Sequence, residues 1–82
     1  LKNFINNLIK ETINKNVIWE NDPSISHGDF EYCLVAQYKK KIVIIKKDTK
    51  SFLPVYTLII NSEEIRGYSS KVKELFKCIN KL

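Results

Sequence analysis

Methionine is absent from this chain, and glycine, proline and cysteine occur only twice each in 82 residues. Each shortage excludes something. Gly28 and Gly67 are too few and too far apart to write a phosphate-cradling loop or a dinucleotide fingerprint. Two cysteines, Cys33 and Cys78, cannot staple a small secreted scaffold, so a reducing cytoplasm is the expected compartment. A single histidine, His27, leaves zinc short of ligands. A single arginine, Arg66, removes the usual donor for bidentate contacts to bases. No apolar run approaches the roughly 18 residues that a membrane span needs, and no apolar stretch with a small-residue cleavage site follows a charged start. With Leu1 first and no methionine anywhere, the initiator is either missing or was read from an alternative start codon.

What is present belongs to a folded domain. The chain is 44% hydrophobic and 28% charged, rich in aromatic and β-branched residues, and its length suits one domain over residues 1–82. Lysine, asparagine and isoleucine are abundant, the set that AT-rich codons encode, so part of the net charge of +5 reflects composition. That charge is polarised. Residues 1–38 carry three lysines against five acids, net −2, whereas residues 39–82 carry ten lysines and Arg66 against four acids, net +7. Such a molecule orients toward an anionic partner.

Leu1, Phe4, Ile5, Leu8, Ile9 and Ile13 recur with the spacing of an amphipathic helix, and Asn14-Lys15-Asn16 is its expected stop. Val17 to Glu20 reads as a short strand, and Asn21 to Gly28 as the one real loop. From Phe30 the period changes to two. Phe30, Tyr32, Leu34, Ala36 and Tyr38 point one way; Glu31, Cys33, Val35 and Gln37 point the other. Ile42 to Ile45 follows after Lys39-Lys40-Lys41, a connection short enough to require an antiparallel hairpin. Val55 to Ile60 is the next strand, Asn61 to Glu64 a turn, and Ile65 to Tyr68 a short edge strand. Val72, Leu75, Phe76, Ile79 and Leu82 then form a second helical stripe, with Ser69 or Ser70 as N-cap. The expected fold is α+β: an N-terminal helix, an antiparallel meander of four to five strands, and a C-terminal helix packed on the sheet.

Little chemistry is written on this frame. A Cys-His pair would have to join His27 to Cys33 or Cys78, at a spacing that matches no nucleophile arrangement. Glu20, Asp22, His27, Asp29 and Glu31 gather around the loop without the alternating acids and central glycine of a calcium loop. Catalysis, cofactors, metals and a small-molecule substrate are not expected. Trp19 reads as a core anchor between helix and sheet.

Two surfaces remain as candidates for binding. The strands at 42–45 and 55–60 are apolar on both sides, as doubly covered strands are. Either one helix lies on each face, or the second face meets a protein. On the second option the interface comprises Cys33, Val35, Val43, Ile45, Thr57 and Ile59, and serves a partner or a homodimer. The alternative is sequence-nonspecific nucleic-acid binding by the hairpin 39–50. There Lys39, Lys40, Lys41, Lys46, Lys47 and Lys50 would contact phosphates, with Tyr38 and Phe52 as rings for stacking. Lysines also protect hairpin tips and edges from aggregation.

The pattern Phe4-x3-Leu8-Ile9-x2-Thr12, then Ile18-Trp19, a tyrosine-rich meander and a closing Leu75-Phe76-x2-Ile79, resembles small, largely uncharacterised bacterial proteins from phage and mobile-element gene sets. The resemblance spans most of the chain and rests on core-type residues. It implies the fold and an accessory protein that acts by binding; it implies no site residues.

Overall fold

The computed structural model describes residues 1–21, 31–48 and 52–81. Residues 22–28 of the expected loop, His27 among them, as well as Lys50 and Leu82, lie outside the described residues, whereas Asn21, expected to open that loop, belongs to the sheet and pairs with Leu34. The elements run α1 (Lys2–Ile13), β1 (Glu20–Asn21), β2 (Glu31–Tyr38), β3 (Lys41–Asp48), β4 (Val55–Ile60), β5 (Glu63–Ile65) and α2 (Ser69–Asn80). The five strands form one sheet in the order β1-β2-β3-β4-β5, every pair antiparallel. The α+β class, the helix at each end and the meander between them are as the patterning predicts.

Neither helix is held by its own termini. Leu1 and Tyr68 occupy the N-cap positions without a side-chain capping bond, and no acid stands in either first turn. Twelve-residue helices are marginal alone, so burial of their apolar stripes is what stabilises them. Ile5, Leu8 and Ile9 of α1 meet Val72, Leu75 and Phe76 of α2 in one cluster with Ala36, Val43, Ile45, Leu58 and Ile60 of the sheet. These strand residues are mutual partners in register: Ala36 with Val43, Val43 with Ile60, and Ile45 with Leu58. They therefore share a face, and both helices lie on that face. The arrangement with one helix on each side is not formed.

Several boundaries differ from expectation. Only Glu20 and Asn21 join the sheet after α1; Val17 is buried in the core, whereas Ile18 is 77% exposed. The last strand is Glu63–Ile65, earlier than expected, because Asn61-Ser62 alone makes the turn. Tyr68, and neither Ser69 nor Ser70, is the N-cap of α2. The left-handed residue beyond α1 is Lys15, at φ 63°, after Asn14 at φ −78°.

Two hairpins are closed by two-residue turns in which both residues have positive φ: Lys39 and Lys40 at 50° and 62°, Asn61 and Ser62 at 49° and 70°. This is the mirror-image turn whose twist matches that of the strands it joins. At the second turn Asn61 earns its position, since its Oδ1 accepts the Ile42 N–H at 3.0 Å while its own N–H reaches the Ile42 carbonyl at 2.9 Å. Lysine has no comparable advantage at the first turn.

Candidate functional site

The antiparallel register separates the sheet into two unlike faces. On the helix side lie Leu34, Ala36 and Tyr38, Val43 and Ile45, Tyr56, Leu58 and Ile60, and Ile65, all within or against the core. The opposite side carries Cys33, Val35 and Gln37, then Ile42, Ile44 and Lys46, then Thr57 and Ile59. Val43 and Ile45, expected on the second face, are instead 0% exposed under the helices. Their places there are taken by Ile42 and Ile44. The reason is the turn: Lys41 already pairs with Tyr38, so the connection is two residues long and every side chain of β3 points opposite to a three-residue reading.

One row crosses the second face without a polar interruption. Val35 pairs with Ile44, and Ile44 with Ile59. Glu20 ends the row beyond Val35, and Glu64 ends it beyond Ile59. All three apolar members are half-buried, and none belongs to the core cluster or packs against it. Ile42, at 55% exposure, and Ile18, at 77%, extend the apolar area toward β1. There a depression of about 520 Å³ is lined by Asn16, Ile18, Glu20, Val35, Ala36, Gln37 and Ile42. No described element packs on this face. Cys33, also on this side, is 1% exposed, and neither it nor Cys78 forms a disulfide.

The lysines that crowd the sequence between 39 and 47 do not form one patch. Lys41 and Lys47 stand at opposite ends of β3, six extended residues or about 20 Å apart. Lys46 lies on the other face from Lys47. Three of the lysines sit over aromatic rings: Lys41 Nζ lies 5.3 Å from the Phe4 ring, Lys39 5.4 Å from Tyr38, and Lys47 5.4 Å from Phe76 and 5.8 Å from Tyr56. The rings themselves pair helix to sheet, Phe4 with Tyr38 at 5.4 Å and Tyr56 with Phe76 at 5.3 Å. Tyr38 is thus half-buried against Phe4 and does not offer a free face like Phe52, which is fully exposed. Sequence reasoning missed the contacts of Lys41 with Phe4 and of Lys47 with Phe76, because they join residues far apart in the chain.

Among the described residues no three of the histidine, cysteine and acidic side chains come together as metal ligands, and no helix is long and apolar enough to cross a membrane. No protein-family model, no curated protein and no solved structure matches this chain.

Proposed function

We propose that the chain is a non-catalytic binding module that engages a protein partner, or a second copy of itself, through the second face of its sheet, in the cytoplasm. The observation that carries this reading is the row Val35–Ile44–Ile59, extended by Ile42 and Ile18, on a face that no described element covers. A contiguous apolar surface of this kind on a small domain marks an interaction site. Of the side chains named from the sequence, Val35, Thr57 and Ile59 lie on it, with Ile42 and Ile44 in place of Val43 and Ile45; Cys33 shares their orientation but is 1% exposed and offers a partner no surface.

The test is a comparison of Ile44→Glu with Lys40→Glu. Both substitutions add negative character, but only the first falls on the face. With folding checked by circular dichroism, Ile44→Glu is expected to abolish both self-association in sedimentation velocity and partner co-purification, whichever the wild type shows, and Lys40→Glu to preserve it. An Ile44→Glu chain that still binds like the wild type would sink the reading.

Nucleic-acid binding is the second reading, favoured by the exposed lysines Lys39, Lys40 and Lys41 gathered at one turn. Its support is narrower than the sequence suggested, since Lys46 and Lys47 lie at the far end of the hairpin.

A further inference from the structure

We infer that the occupant of the second sheet face is an amphipathic helix with basic flanks, contributed by another protein and laid along β3. This rests on the reading of that face as an interface and names the chemistry that fits it.

Glu20 and Glu64 stand in register with Val35 and Ile59, so the row reads acid, three apolar residues, acid. It crosses five strands and hence four inter-strand spacings, about 19 Å from one glutamate to the other. A helix with its side chains is about 10–12 Å across. Centred over Ile44, it covers the apolar members and leaves a carboxylate just outside each flank, within reach of a lysine or arginine that stretches outward from the helix. The acidic rim also contrasts with the chain as a whole, whose net charge is +5. A basic partner is drawn to the two rim carboxylates, while Lys46, on the same face of β3 beyond Ile44, confines its basic residues to the flanks.

A second copy fits the same face less well. A two-fold axis that lays the row on its copy runs either along β3 or along the row. The first sets Glu20 against Glu64 of the copy, and the second sets each glutamate against itself. Both oppose like charges at both ends of the contact, which is destabilising. Arg66 lies 3.5 Å from the Glu64 carboxylate, but both side chains are at least half-exposed. Such surface pairs contribute little, and a basic side chain from a partner replaces one at small cost.

The probe is a fluorescein-labelled peptide of about 18 residues, five helical turns, with leucines on one face and lysines along both flanks. Its counterpart carries glutamates at the flanks. Fluorescence anisotropy with the full chain is expected to show tighter binding of the lysine-flanked peptide, weakening as salt is raised. Ile44→Ser should remove that binding. Glu20→Lys with Glu64→Lys should weaken it on the order of tenfold and shift the preference toward the glutamate-flanked peptide. If the glutamate-flanked peptide binds the wild type equally well and Ile44→Ser removes both, the charge assignment fails and the interface stands. If neither peptide binds but the wild type is a dimer that Ile44→Ser dissociates, the occupant is a second copy and the inference is overturned alone. If neither peptide binds and Ile44→Ser changes nothing, the inference and the interface both fall.

Discussion

The indole Nε1–H of Trp19 donates a 3.0 Å hydrogen bond to Oγ1 of Thr12, and that hydroxyl in turn donates to the Leu8 carbonyl at 2.7 Å. Thr12 is 0% exposed, the one fully buried polar side chain among the described residues. The relay ties the segment leaving α1 back onto the last turns of the helix. It also holds Val17 in the core on the way to β1.

Thr12→Val keeps the shape and removes the hydroxyl, leaving the indole N–H without its acceptor. We expect a loss of about 1–3 kcal/mol in urea unfolding. Trp19 is the sole tryptophan, so its emission reports the transition directly. Thr12→Ser, which keeps the relay, should cost less. Equal stability of Thr12→Val and the wild type would show that the relay contributes nothing.

The lysine turn makes a second expectation. Lys39 and Lys40 both sit at positive φ, where a side chain with a Cβ is held about 1–2 kcal/mol per residue above its preferred conformation and asparagine or glycine is favoured. Replacing the pair by Asn-Gly should raise the urea midpoint, with a gain of about 1 kcal/mol and an unchanged slope. A destabilised variant would mean that the Lys39 contact with the Tyr38 ring outweighs the backbone strain.

Neighbouring isoleucines test the two faces. Ile45 is fully buried beneath the helices, so Ile45→Ala should cost about 2–5 kcal/mol. Ile44, half-buried on the opposite face, should cost markedly less when cut to alanine in the isolated chain. If the two losses were reversed, β3 would be turned over and the interface would have to be redrawn through Val43 and Ile45.

For the lysine turn as a nucleic-acid site, the informative quantity is anisotropy of labelled single- and double-stranded DNA and RNA at low and physiological salt. Under the protein-interface reading, any binding vanishes at physiological salt. Binding that persists with a steep salt slope, and that Lys39→Glu with Lys40→Glu removes, would give the turn a function of its own.

Element type was legible wherever the period was unambiguous. The stripes of Ile5, Leu8 and Ile9 and of Val72, Leu75 and Phe76 predict both helices, and the alternation from Cys33 to Tyr38 predicts β2 with the correct faces. The face of β3 was not legible, because Ile42 to Ile45 is apolar at every position and alternation carries no information there. Its orientation depended on the length of one turn. Two consecutive lysines in the left-handed region carry none of the asparagine or glycine that announces such a turn, so a three-residue connection was the natural expectation. That single residue reverses Val43 and Ile45. Proximity in sequence likewise misled for the lysines, since an extended strand carries Lys47 away from Lys41 as fast as a chain can.

The pairing of α1 with α2 has a consequence for how the molecule is made. The two are separated in the chain by the whole meander, so during synthesis at about 5–20 residues per second the first helix waits several seconds for the second. Hairpins close in microseconds. The β2–β3 hairpin therefore forms while about thirty residues are still to be added, with Val43 and Ile45 bare on the side that α2 completes, and Leu58 joins them only shortly before α2. A nascent chain in this state presents apolar surface on both sides at once, and its vulnerability to aggregation and to chaperone capture ends only when the closing helix has emerged.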